Sequence, residues 1–292
     1  VMLACVFFYS SGNHLYLPLT NSIGMSFAKD GKVGSKLGEI SAANTAALVT
    51  GSAVLLILFR FFRLSFMLAF SLGALAFLFA GITLFLMGRD RTSKAKQRFV
   101  FRREYGLYYW LSILYGARKQ IFITFAPWVI VDVFKQPVTT MTLLFFIMSV
   151  LGILVKPLIG RLIDTAGEKF TLGLEAVILI FVCLLYAFAA DIFSRPVALV
   201  VVCVCYVIDQ CSTSVSMARA TYMRRIALYP EDVSPSLSLG VSIDHIVSMF
   251  LPILGGIVWM KGGEFGYRYV FIGGAVVALV NFISTRFIAK RY

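Results

Sequence analysis

Charge is what this sequence has least of. Only 14% of its 292 residues are Asp, Glu, Lys or Arg, and 60% are hydrophobic, with a mean hydropathy of +0.88. A soluble domain is about a quarter charged and under half apolar, so a water-soluble enzyme is excluded. Catalytic signatures are missing too. The sequence has no Gly-rich phosphate loop, no His-Glu-x-x-His and no triad spacing, and no enzyme is expected. The five cysteines (Cys5, Cys183, Cys203, Cys205, Cys211) lie in apolar stretches without disulfide or zinc spacing. They read as small buried hydrophobes, with no metal and no cofactor implied. A period-two alternation is absent, which excludes a transmembrane barrel. No signal peptide is visible, and apolar sequence begins at Val1, as in a chain cut inside or just before a span.

What is present is a series of apolar blocks, at about 1–26, 40–60, 64–88, 106–133, 138–160, 170–190, 196–218, 234–260 and 267–288. Each is long enough to cross a bilayer as a helix, which predicts an all-α, polytopic membrane protein of about nine spans. Basic residues outnumber acidic ones 27 to 14. Nineteen of them lie in the tail and in the connectors after the first, third, fifth and seventh blocks, and six in the alternate connectors. By the positive-inside rule the first set faces the cytoplasm, with the C-terminus inside. Arg219, Arg224 and Arg225 are counted there as loop residues, as is Lys156. Tyr105, Tyr108, Tyr109 and Trp110 read as interfacial anchors at the inner mouth of the fourth block, and Trp128, Trp259, Tyr267 and Tyr269 as outer ones. The one long polar stretch, 89–104, is densely basic and without apolar periodicity. It reads as a cytoplasmic linker between residues 1–88 with three spans and 105–292 with six. Its charges suit topology and anionic lipid rather than nucleic acid.

The connector after the fifth block runs Gly160-Arg161-Leu162-Ile163-Asp164-Thr165-Ala166-Gly167-Glu168-Lys169. It resembles the loop signature G-x-L-x-D-x-x-G-[RK]-[RK] of the major facilitator superfamily at Gly160, Leu162, Asp164, Gly167 and Lys169. Thr165 and Glu168 stand at positions that are often basic there. Gly167 permits a tight turn, Asp164 can cap the next helix or hold an Arg, and Lys169 marks the cytoplasm. Lys29–Gly38 is similar to the Gly-and-basic turn entering that family's span 5, and the small residues after it allow close helix approach. The resemblance implies spans 4 to 12 of a twelve-span transporter, with the first three absent. It also implies a cavity lined mainly by Asn13 and His14 on span 4, Arg118, Lys119 and Gln120 on span 7, and Asp209 and Gln210 on span 10. Asp244 and His245 fall on span 11.

An ionisable residue at mid-bilayer costs about 2.5–3.5 kcal/mol, so each is a functional candidate by default. Arg118 and Asp209 carry the sharper expectation, Arg118 holding an anionic group and Asp209 acting as a proton-coupling acid. Lys119 and Asp244 read as a structural pair. His14 and His245 are helix contacts first and titrating groups second. Glu175, near an inner helix end, is expected to meet Lys169 or headgroups. Pro252, Gly255 and Gly256 mark a helix that bends. The sequence thus points to a multi-pass protein of the cell or plasma membrane: a secondary transporter of a small anionic or zwitterionic solute, with protons or another ion as partner. The alternative is a truncated, non-transporting membrane protein (a sensor, scaffold or remnant) that keeps the fold.

Overall fold

A computed structural model describes residues 2–29, 31–62, 65–86 and 100–289. Most of the basic linker expected at 89–104 lies outside them, as do Lys290 and Arg291. Among the described residues every regular element is a helix. They are α1 (Met2–Ser26), α2 (Val33–Phe62), α3 (Phe66–Leu86), α4 (Gly106–Trp128), α5 (Val138–Ile192), α6 (Arg195–Ser212), α7 (Ser216–Ile226), α8 (Val233–Lys261) and α9 (Gly266–Thr285).

Two of these labels hide the number of spans. At 1.5 Å per residue the 55 residues of α5 would run about 80 Å, more than twice the ~30 Å hydrocarbon core. The helix breaks at Gly167, whose φ of 84° lies in the left-handed region that glycine enters without a Cβ clash. The two arms, 138–166 and 168–192, are each one span long. Conversely, α6 and α7 are joined through a single 3-10 turn at Thr213–Val215 and make one span of 32 residues, 195–226. Five helices among the described residues are long and apolar enough to cross a membrane, the 54-residue stretch 139–192 counting as one. Helices α1, α2 and α4, at 25, 30 and 23 residues, have the length for it.

Pro196 sits in the first turn of α6, where its missing N–H breaks no needed bond, whereas Pro157 and Pro252 lie inside α5 and α8. Pro127 lies in the last turn of α4, which runs on as a π-turn, Val129–Val133, since the ring removes a ladder donor there.

The apolar residues form two cores. In the first, Phe122 and Phe125 of α4 meet Tyr186 of α5 and Phe271 of α9, the last two stacked with ring centroids 4.5 Å apart. In the second, Leu111 of α4, Leu172 of α5, Met223 of α7 and Leu237 of α8 enclose Met25 of α1 and Leu37 of α2, which ties the first two helices to the later ones. Tyr105, Tyr108 and Tyr109 belong to this second core at 0–5% exposure. They are therefore not interfacial anchors. The hydroxyls of Tyr105 and Tyr109 donate internally, to Asp232 Oδ2 at 2.7 Å and the Val100 carbonyl at 3.0 Å, so neither needs the headgroup region. Burial and the bond to Asp232 push the Tyr105 phenol above its ordinary range. Trp110, half-exposed, does stand at the surface.

The closest approach between early and late helices is α2 against α5. Gly34 and Gly160 face each other so closely that a Cβ on either would strike the other's carbonyl oxygen. Asp164 fills the gap in hydrogen bonding. Its carboxylate accepts from the Gly34 and Ser35 amides, both at 2.7 Å, and caps α2 rather than the helix that follows it in sequence. Lys156 is not a loop residue either. It lies within α5 and its ammonium donates to Thr45 Oγ1 and the Ser41 carbonyl of α2. A Gly160→Ala substitution is expected to lower stability by about 1–3 kcal/mol, the range for overpacking a tight contact. Thermal unfolding in detergent measures it, and an unchanged melting temperature would contradict the close approach.

Candidate functional site

The sequence places Arg118 and Lys119 side by side on α4, where successive side chains diverge by about 100°. They serve two different environments. Arg118 turns to α5 and α6 and Lys119 to α8.

Arg118 is 5% exposed. Its Nη2 donates to the Asp209 carbonyl at 3.0 Å and lies 2.7 Å from Asp209 Oδ1, outside good hydrogen-bond geometry. Its Nε is 3.9 Å from Glu175 Oε1. Glu175, expected near the headgroups, is instead 3% exposed and in the interior. The reason is the Gly167 break, which starts the second arm of α5 early and carries Glu175 two turns into the helix. Among the described residues neither oxygen of Glu175, nor Nε or Nη1 of Arg118, has a hydrogen-bond partner. Gln210 Nε2 donates to Asp209 Oδ2 at 3.1 Å. The cluster thus holds one guanidinium and two carboxyl groups. Among these three groups full ionisation leaves one net negative charge, which a single proton cancels, and buried Arg219 of α7 offsets it only at longer range from Glu175.

Lys119 faces the other way. Its ammonium lies 2.6 Å from Asp244 Oδ1, and Ser248 Oγ donates to the same oxygen at 3.3 Å. This pair lines a cavity of about 250 Å³ between α1, α4, α7 and α8, together with Tyr108, Tyr115, Arg219, His245 and Asn21. Arg118 is not among its lining residues. Gln120 bonds within α4, to Thr124 Oγ1 at 2.9 Å, and joins neither group. Asn13 and His14 sit on α1, but their side chains lie outside the described residues. In the loop motif Lys169 donates to the Arg286 carbonyl at 2.8 Å, while Leu162 bonds to nothing polar and is half-buried.

Arg219 was missed. Read as a loop cation, it lies inside α7, is 8% exposed, and its guanidinium carbon stands 3.4 Å from the Tyr115 ring centroid. The signal available was the run Met217, Ala218, Ala220, Tyr222, Met223, which continues the apolar pattern past the end assigned to the seventh block. Its neighbours differ. Arg225 pairs with buried Glu168 at 3.3 Å, and Arg224 donates to the Met25 carbonyl at 2.9 Å.

A family model, Major Facilitator Superfamily, matches residues 1–233. The chain belongs to that superfamily. The match spans α1 to the start of α8 and so includes the loop motif, the Arg118 cluster and most of the cavity wall. No curated protein matches the chain. Membership makes it a multi-pass integral membrane protein and, at the level of the superfamily, a transporter of small molecules.

Proposed function

We propose that the chain is a proton-coupled secondary transporter of a small anionic or zwitterionic solute. Residues 1–88 and 105–292 would act as two bundles joined by the basic linker, rocking about a midplane site. The cations of the tail and of the connectors after the first, third, fifth and seventh blocks support a cytoplasmic Gly160–Lys169 end, with the C-terminus on the same side. The cavity lined by Lys119, Asp244 and His245 takes the solute. The cluster of Arg118, Glu175 and Asp209 takes the proton.

One observation carries this reading: two buried acids share one base, one α4 residue away from a cavity-lining cation. A purely structural ion pair with Arg118 needs only one of the two acids at contact distance. The proton belongs to the pair rather than to either acid. The groups that face it are Arg118 from α4, Cys183 and Tyr186 from α5, Tyr206 and Gln210 from α6 and, at longer range from Glu175, Arg219 from α7. In proteoliposomes with an acid exterior, at least one member of a panel of small anions and amino acids is expected to enter saturably, and a protonophore to abolish its accumulation. Saturable uptake indifferent to the protonophore would overturn the coupling, and no saturable uptake of any member would overturn transport.

A further inference from the structure

The cavity wall carries one cation, Arg219, with no carboxylate at ion-pair distance among the described residues. Asp244 is the only acid on its wall among the described residues, and Lys119 already holds it at 2.6 Å. Glu175 and Asp209 make their close contacts with Arg118, and Glu175 feels Arg219 only at longer range. Arg219 makes no ion pair and no hydrogen bond among the described residues, though it is more than nine-tenths buried. Its nitrogens are not sealed in protein but open to the cavity it lines. A buried arginine serving only to join helices would be expected to spend its donors on carbonyls, as Arg224 does on Met25.

The Tyr115 ring fixes the orientation. With its guanidinium carbon 3.4 Å from the centroid, Arg219 rests on the ring face, and a stacked guanidinium keeps its N–H donors free at its edge. That edge is the fork that matches two oxygens of a carboxylate or phosphate. About 250 Å³ lies just below the range of drug-sized sites, which sets the partner as a small solute. A zwitterion would bring an ammonium as well, and the one lining acid is occupied.

We propose that Arg219, held flat on Tyr115, anchors an oxyanion group of the transported solute and makes the cavity select small anions over zwitterions and neutral molecules. This rests on the transporter reading and adds the solute's charge and the residue that reads it. The full chain in detergent is titrated with sodium benzoate, inorganic phosphate, benzamide and phenylalanine while thermal unfolding is followed. Benzoate or phosphate raises the melting temperature saturably, and the neutral amide and the zwitterion do not. A response to benzoate alone identifies a carboxylate, and to phosphate alone a phosphate. Arg219→Gln removes the shift. Arg219→Lys, which keeps the charge and serves if the glutamine variant does not fold, raises the half-saturating concentration at least tenfold. Arg195→Gln removes a surface charge that donates to the Val133 carbonyl and leaves the shift as it is. No shift with either oxyanion, an equal shift in Arg219→Gln, or an equal response to phenylalanine would each overturn the anchor. Anion binding without flux in proteoliposomes would sink transport and leave the anchor standing. Flux with unchanged KM in Arg219→Gln would do the reverse.

Discussion

Arg118→Leu is expected to destabilise the protein by about 3–5 kcal/mol, the loss found when one partner of a buried ion pair is removed. Here the remaining partners are two carboxyls, Glu175 and Asp209, at 3% and 0% exposure, with no second base at ion-pair distance among the described residues and Arg219 acting on Glu175 only from farther away. The substitution leaves them facing each other without compensation. The expected result is poor yield of monodisperse protein and a markedly lower melting temperature in detergent. Neutralising both acids should suppress it: Arg118→Leu combined with Glu175→Gln and Asp209→Asn removes every charge of the cluster and is expected to recover most of the lost stability. If the single variant melts as wild type does, or the triple variant melts as low as the single one, the cluster is not the isolated charge system described above.

The second large effect concerns coupling. Asp209→Asn keeps the size of the side chain and an oxygen for Gln210, so the fold is expected to persist. What changes is the charge count. Arg118 then faces Glu175 alone, the cluster is balanced without a proton, and loading one would add an unpaired positive charge. With one proton per solute, a gradient of one pH unit supports about a tenfold concentration ratio of solute, since a pH unit is worth about 1.4 kcal/mol. In the Asn variant that ratio falls to about one, while exchange of labelled for unlabelled solute continues. By the same count Glu175→Gln should uncouple too. Accumulation that still follows pH in the Asp209→Asn protein would refute the assignment.

The fold was readable for a plain reason. A bilayer forces every span to be helical and sufficiently apolar, so runs of hydrophobic residues report both the elements and their number. Positions that depended on where a helix begins or pauses were harder. Glu175 looked like an end residue because Lys169 marks a loop, but a one-residue turn at Gly167 starts the next arm at once. Arg219 looked like a loop cation because polar residues cluster at Cys211–Ser216, where a 3-10 turn interrupts the helix without ending the span. Which of Arg118 and Lys119 meets the cavity was not legible at all. Adjacent residues on α4 face α6 and α8 according to a helix rotation that only the packing of α8 and α9 on either side decides. Asp164 was recognised as a cap, and its partner, α2, lies some 130 residues away in sequence, beyond what a local motif encodes.

The central claim is that a solute in the cavity moves together with a proton held by the neighbouring Arg118, Glu175 and Asp209 cluster. The direct test is the internal pH of proteoliposomes carrying a trapped pH-sensitive dye, recorded as a saturating small anion is added outside, with the leak through protein-free vesicles subtracted. Wild-type protein is predicted to acidify the lumen with each solute that enters, and Asp209→Asn protein to admit solute without acidification. Equal acidification by both proteins would contradict the account.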